Sequence, residues 1–357
     1  MLTQLRRRAV ASLAIGAALT VVLAACGSSS KPTSAASPAN ANTSSASATL
    51  RLGYFPNVTH APAIIGVQQG TFKQALGQNV KLDLKTFNSG SEAVTALLAG
   101  ALDASFVGPN PAINAYQKTK GGFRVVAGTA SGGAFFVVKP NINSAADLKG
   151  KKVATPQLGN TQDVALRTWL NNNGLHETKS GGDVTIVPED NSVTLTAFEQ
   201  GSIVGAWVPE PWATRLVKEG GGKILVNEAT LWPQGKFTTT VLLVNKSYLE
   251  AHSGVIQHLI AGLDSTLTFI KSNPTESQQV TNQGIKQITG KSLKNADIKA
   301  SFADITFTLD PIASSLQTSA DHAKALGFLD SSDLGNIFDL SLANKVLSAK
   351  GEPPVQP

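Results

Sequence analysis

The sequence predicts an α/β fold. From Leu50 onward, short β-rich runs alternate with helical stretches, the pattern of a sheet whose strands are mainly parallel. Helix-start residues follow directly on several of these strands. The 357 residues, 42% of them apolar, are enough to bury a substantial core and suggest roughly two domains. A mean hydropathy of +0.02 excludes a disordered chain and a polytopic membrane protein. One cysteine excludes a disulfide framework and any cysteine-based zinc site. Charged residues make up only 15%, yet the formal net charge is +6, so the location of the excess decides whether it means anything.

The first elements are not part of the fold. Arg6, Arg7 and Arg8 precede an apolar run from Ala9 to Ala25, the pattern of an export signal. That run is short and alanine-rich for a membrane span, where about 20 strongly apolar residues are expected. It ends in Leu23-Ala24-Ala25-Cys26, which resembles the bacterial lipobox and implies cleavage before Cys26 with lipidation of that residue. Residues 27–49 contain eight Ser, six Ala, two Pro and one charge, Lys31, a composition that buries nothing and acts as a tether. The expected division is a signal over 1–25, a tether over 26–49 and a folded body from about Leu50. Arg6, Arg7, Arg8 and Lys31 carry four of the six excess charges, so the body is near neutral and the high pI is no argument for nucleic acid.

Strands are expected at Leu50–Tyr54, Val80–Phe87, Ala104–Val107, Arg124–Gly128 and Ala134–Val138. Further strands are expected at Lys152–Thr155, Val184–Val187, Gly205–Val208, Ile224–Val226 and Thr239–Val244. Five junctions carry helix-start chemistry. After the first strand comes Phe55 to Pro62, with Asn57 in the loop, Thr59 or His60 near the cap and Pro62 in the first turn. After the second, Ser89-Gly90-Ser91-Glu92 reads as a capping box. After the third, Gly108-Pro109-Asn110-Pro111 places Asn110 as cap. Leu158 to Asp163 puts Asn160 at a cap, followed by Thr161. Val208-Pro209-Glu210-Pro211-Trp212 puts Glu210 at a cap. Beyond about Tyr248 the pattern is helical, with helices at Val255–Ile270, Glu276–Ile288, Ala296–Phe302, Ile312–Leu326 and near Leu340–Leu347, and residues 351–357 close the chain as a tail.

Ligands of open α/β sheets bind beyond the carboxyl ends of strands, where unpaired N–H groups and helix dipoles favour an anion. These junctions are rich in Gly, Asn, Ser and Thr, which let backbone approach a ligand closely. The candidate donors are the backbone at Ser89, Gly90 and Ser91, Asn110, and Asn160 with Thr161. The turn at Ser131 and Gly132 can present N–H groups, and Thr239 can add a hydroxyl. His60 reads equally as a ligand contact or a structural hydrogen-bonder, and Glu210 as a helix-cap acid or a ligand acceptor. Trp212 or Trp232 can supply an apolar wall for an organic ligand. No HxxxH or HExxH spacing occurs, nor a phosphate-binding Gly-rich loop, so no metal, cofactor or nucleotide is expected.

The body resembles solute-binding proteins of ABC importers, in the group that includes binders of aliphatic sulfonates, taurine and nitrate. The resemblance covers about residues 50–350. It rests on GYFPNVTHAP (53–62), GSEAVTALLAG (90–100), the stretch from Asp103 to Gly108, VATPQLGNTQDVALR (153–167), WVPEPW (207–212) and KFTTTVLLV (236–244). It implies a two-lobed type II periplasmic-binding fold with the ligand in a cleft between lobes. Lobe one would hold 50–137 plus 240–350 and lobe two 138–239, with hinge crossings near Val138-Lys139-Pro140 and Thr238-Thr239-Thr240. It also implies, in turn, that a small anionic solute is captured by lobe closure, with an aliphatic sulfonate first among the candidates and nitrate, bicarbonate or a thiamine-precursor heterocycle as alternatives. The partners would be an ABC permease and its ATPase, with the chain a monomer held at the outer face of the membrane through Cys26. An enzyme of related fold, the competing reading, would need a nucleophile, a metal site or an acid–base pair that His60 and Glu210 do not make up. An adhesin or sensor lipoprotein on the same fold is the third reading.

Overall fold

The computed structural model describes residues 47–357. The export signal, Cys26 and nearly all of the tether lie outside the described residues. Along the chain come β1 (Ala48–Tyr54), α1 (Ala61–Gln68), α2 (Thr71–Leu76), β2 (Val80–Thr86), α3 (Gly90–Leu98), β3 (Ala104–Val107), α4 (Pro109–Lys118) and β4 (Phe123–Gly132). A second group follows: β5 (Ala134–Val138), β6 (Lys152–Thr155), α5 (Thr161–Asn172), β7 (Thr185–Pro188), α6 (Asn191–Glu199), β8 (Gly205–Pro209), α7 (Trp212–Lys218) and β9 (Lys223–Asn227). The chain then returns through β10 (Thr238–Asn245) to α8 (Lys246–Ala251), α9 (Ser253–Ser272), α10 (Pro274–Thr289), α11 (Asn295–Ala303), β11 (Ile305–Phe307), α12 (Ala313–Ala325) and α13 (Ser341–Ala349).

Two sheets result. One has the order β11-β4-β10-β3-β1-β2 and the other β7-β6-β8-β5-β9. Alternation along each strand gives both sheets two apolar faces. On β10, Leu242 and Val244 join β1, α1, α2 and α9 in one core, while Val241 and Leu243 join α3, α4 and α12 in another. On β5, Phe136 and Val138 pack with Trp207 and α5, and Phe135 and Val137 pack with α6 and α7. Each sheet is therefore a lobe with helices on both sides.

The strands are not mainly parallel, as the sequence pattern suggested. β1, β2 and β3 pair in parallel, as do β6, β7 and β8, but β10 and β5 run against their neighbours. The reason is the crossing. β4 ends at Gly132 and β5 begins at Ala134, so the chain passes between sheets in a single residue, Gly133. A strand arriving from the other lobe must run away from it, whereas the parallel strands run toward it. The registers Ala134↔Pro209 and Thr238↔Ser131 fix this geometry, because the carboxyl ends of β8 and β4 lie at the entry points of β5 and β10. The passage thus falls at Gly132–Gly133, not near Val138–Pro140, since Ala134–Val138 is already paired in the second sheet. Both glycines have positive φ (84° and 71°), the conformation a side chain disfavours. β11 had no expected counterpart, being three residues long and paired only at the sheet edge. The last residues are docked, with Val355 N–H and C=O both bonded to the Asn344 side chain.

Candidate functional site

The carboxyl ends of β1, β2, β3, β6, β7 and β8 all face the junction of the two lobes. Between them runs a groove of about 940 Å³, lined on one side by Asn57, Asn88 and residues 285–294 and on the other by Asp190, Asn191, Trp212 and Arg215. Buried polar side-chain atoms without a hydrogen-bond partner occur at the strand ends and in the first turns of the helices that follow: His60 Nδ1, Ser89 Oγ, Asn110 Oδ1, Thr161 Oγ1, Glu189 Oε1 and Asn191 Oδ1, the last of them lining the groove. Among the described residues four more such atoms occur, on Thr168 of α5, Asp264 of α9 and Ser277 and Thr281 of α10, and Asp264 Oδ2 has the Lys350 ammonium beside it. An orphaned buried polar atom costs about 1–3 kcal/mol. Six of them at strand ends of both lobes make these positions the candidate site.

The loop after β1 carries Asn57, Thr59 and His60, all buried. Asn57 Oδ1 accepts from Trp212 Nε1 across the lobes (3.0 Å), and the Thr59 carbonyl accepts from Thr240 Oγ1 (3.1 Å). His60 precedes α1, its ring stacked 4.4 Å from Phe55, and burial pushes its pKa down to about 3, so the imidazole is neutral. Trp212 opens α7 with the Arg215 guanidinium 4.8 Å over its ring.

The junction after β2 differs from expectation. Ser89 stands at the N-cap of α3, yet its hydroxyl caps nothing, and Glu92 reaches the Asn88 N–H (3.1 Å), not that of Ser89. The capping box is therefore not formed. Gly90 is needed for close packing, since a Cβ there would come 2.4 Å from Pro111 Cγ. The Ser91 N–H donates to Gln157 Oε1 of the other lobe (2.9 Å).

After β3 the cap is Gly108, and Asn110 lies inside α4, correcting its expected place at the cap. The shift follows from Pro109, which already occupies the first helical position. Asn110 Nδ2 donates to the Ser319 carbonyl of α12 (3.2 Å), leaving Oδ1 orphaned. After β6, Asn160 does cap α5, its Oδ1 accepting from Asp163 N–H (2.9 Å). Asp163 also accepts from Thr155, from the Gly159 N–H and from Arg167, which Glu177 pairs in turn. This buried network fixes the loop that carries Thr161. A Cβ on Gly108 would stand 2.7 Å from Thr161 Oγ1, so the third and sixth strand ends meet directly.

Glu210 is committed to the protein. Its Oε1 accepts from Thr214 Oγ1 (2.9 Å), and its Oε2 from Thr214 N–H (3.2 Å) and from Ser301 Oγ of α11 (2.9 Å). The carboxylate thus caps α7 from outside the helix and ties the two lobes. Its pKa is pushed up to about 7 by burial, which the bonds from Ser301 and Thr214 only partly offset. The expected donors at the crossing are also engaged. The Gly132 N–H donates to the Phe237 carbonyl (3.1 Å), and Thr239 Oγ1 donates to the Gly132 and Ala130 carbonyls (2.8 and 3.2 Å). Ser131 is buried in the ladder between Thr238 and Thr306. These residues shape the crossing, and the orphaned atoms lie elsewhere.

Three residues escaped the sequence reading. Glu189 and Asn191, in the loop after β7, follow a strand as the other junctions do, with Asp190-Asn191-Ser192 as the signal. Gln157 is a long polar side chain in a loop and carries no periodic or capping signature. Among the described residues no three His, Cys, Asp or Glu side chains gather as a metal site would require.

Two sheet lobes joined by short crossings, with strand ends facing one groove, define the type II periplasmic-binding fold. The chain belongs to the NMT1-like family, whose model matches residues 43–283. It is 30% identical over 200 residues to the taurine-binding periplasmic protein of Escherichia coli (strain K12), a match covering 55% of this chain and 59% of that one. The chain spans about three fifths of the length of the curated relatives it matches first. Among solved structures, the alkanesulfonate-binding protein SsuA from Xanthomonas axonopodis pv. citri bound to MOPS superimposes with a TM-score of 0.68 at 21% identity, covering 80% of this chain and 96% of that one. The periplasmic nitrate-binding protein NrtA from Synechocystis PCC 6803 gives 0.69 at 16% identity, over 85% and 89%. Both likenesses are likenesses of fold.

Proposed function

We propose that the chain is the solute-capturing component of an ABC importer and binds a small organic anion, an aliphatic sulfonate first, by closing its lobes on it. The observation that carries this reading is the pair of orphaned hydroxyls Ser89 Oγ and Thr161 Oγ1, one in each lobe, beside the N-termini of α3 and α5. Hydroxyls that can donate and the positive ends of helix dipoles suit an ionised sulfonate without any buried cation. The names of the taurine- and alkanesulfonate-binding relatives support the same solute class. In this reading the protein delivers its solute to a membrane permease with a cytosolic ATPase, performs no chemistry and acts as a monomer. It is exported and held at the outer face of the cytoplasmic membrane by lipid on Cys26. The lobe division follows the sheets, and the hinge comprises Gly132–Gly133 and the connection from β9 to β10.

Calorimetric titration of the purified protein with taurine, methanesulfonate, pentanesulfonate and nitrate tests the solute class. A solute at 100 times its Kd should raise stability by about 2.7 kcal/mol in a thermal-shift assay. Binding of a neutral or cationic heterocycle while every anion fails would sink the reading. The anchor is checked separately by the mass of the N-terminal peptide from membranes, expected to begin at a diacylglyceryl-modified Cys26; an unmodified peptide extending upstream would remove it.

A further inference from the structure

Ser91 is the second residue of α3, so its N–H has no partner within the helix. It donates instead to the side-chain oxygen of Gln157, in the loop between β6 and α5 of the other lobe (2.9 Å). A carboxamide oxygen carries partial negative charge and is drawn to a helix N-terminus for the same reason an anion is. Two further groups beside this contact lack partners. Ser89, at the position where a serine hydroxyl commonly caps, is 4% exposed with Oγ unpaired, and Thr161 Oγ1 at the start of α5 is unpaired and buried as well. The α3 terminus is thus arranged to receive an acceptor from outside the helix, and Gln157 supplies one.

We propose that Gln157 sets the affinity threshold of the site: its side-chain oxygen holds the Ser91 amide that the anionic group of the solute takes over, so a solute binds only by outcompeting it. This rests on the functional reading above, in which the α3 terminus contacts the anion. One N–H cannot serve both acceptors well. A neutral sulfone or carbonyl oxygen exchanges one neutral bond for another and gains little. A sulfonate exchanges it for a charge-assisted bond about twice as strong. Gln157 therefore imposes the same cost on every solute, a threshold that a charged acceptor clears and an uncharged one does not. Because the bond joins the two lobes, displacement also replaces a direct link between lobes by one that runs through the solute.

The test pairs methanesulfonate with its uncharged relative dimethyl sulfone, on the wild type, Gln157→Ala and Gln157→Glu. Gln157→Ala removes the internal competitor, so both ligands should bind several-fold tighter, by a similar factor, and dimethyl sulfone should come within reach of measurement. Gln157→Glu places a permanent anion on the amide, and methanesulfonate should bind roughly tenfold weaker or worse. Hydrogen exchange of the Ser91 amide gives a readout independent of any solute. It should be protected in the wild type, exchange faster in Gln157→Ala, and regain protection when methanesulfonate is added to that variant. Affinities unchanged in both variants, or a Ser91 amide unprotected in the wild type, would overturn the inference while leaving the solute class intact. If the wild type binds neither methanesulfonate nor any other anion, the functional reading falls and this inference falls with it.

Discussion

Single residues decide how closely the lobes meet. Gly108 has φ −70° and ψ 161°, a conformation open to any residue, so its role is space and not flexibility. Gly108→Ala would put a methyl 2.7 Å from Thr161 Oγ1 of the other lobe. Contacts that short force a side chain aside or hold the surfaces apart, typically at about 1–3 kcal/mol. The fold of each lobe should survive, with little change in melting temperature, while methanesulfonate affinity drops by roughly tenfold in calorimetric titration. Undiminished affinity would mean that Thr161 simply rotates away and that this contact plays no part in capture. Asn160, two residues past Leu158, was legible as a cap because capping is a local affair of one side chain and one N–H three residues on. The orphaned state of Ser89 was not, because the same pattern that spells a capping box also spells a hydroxyl left free for something else.

At the scale of elements the sequence revealed strands better than their directions. Ala104–Val107, Ala134–Val138 and Lys152–Thr155 occupy the expected residues, because short β-branched runs between Gly, Pro and Asn are local signals. Whether a strand runs with or against its neighbour depends on where the chain came from. β5 and β10 are antiparallel solely because each enters its sheet from the other lobe. The same non-local logic hid β11, whose pairing of Ile305 with Gly132 exists only once β4 has reached the crossing. It also explains the fate of the Glu210-Pro211-Trp212 turn. Its composition announces a helix start, but the bond of Trp212 to Asn57 and that of Glu210 to Ser301 reach residues 155 and 91 positions away in opposite directions. Strand-end loops could be picked out from pattern alone. Which side chains in them bind each other, and which are left without a partner, depended on the packing of both lobes.

For the whole molecule, buried ionisable groups determine how stability follows pH. Burial pushes Glu210 and Glu228 each up to about 7 from 4.5, against bonds from Ser301 and Thr214 in one case and from Trp207 and Trp232 in the other. A raised value means the folded chain binds more protons than the unfolded one, so this contribution is fully present below 4.5 and lost as pH rises through 7. His60 acts in the opposite sense. Burial holds it at about 3 against 6.5, so its contribution is present above 6.5 and lost as pH falls through 3, and the lowered His322 adds to this. Between pH 8 and 6.5 the two glutamates dominate, and acidification should stabilise the protein by on the order of 1 kcal/mol for each, less a smaller loss as the histidines of the unfolded chain begin to protonate. From 6.5 to 4.5 the glutamates and histidines oppose one another. Below 4.5 the histidines remain, joined by Asp147 and Glu219, whose pKa values are lowered chiefly by the hydrogen bonds they accept, and stability should fall. Melting temperature should therefore rise from pH 8 to about 6.5, level off, and drop below about 4.5. Glu228→Gln tests the assignment, because it keeps an acceptor for the Trp207 indole and removes the titration. The rise between pH 8 and 6.5 should shrink by roughly half in that variant. A wild-type melting temperature that is flat or falling over that interval would show that neither carboxyl is held in the neutral form that its burial demands.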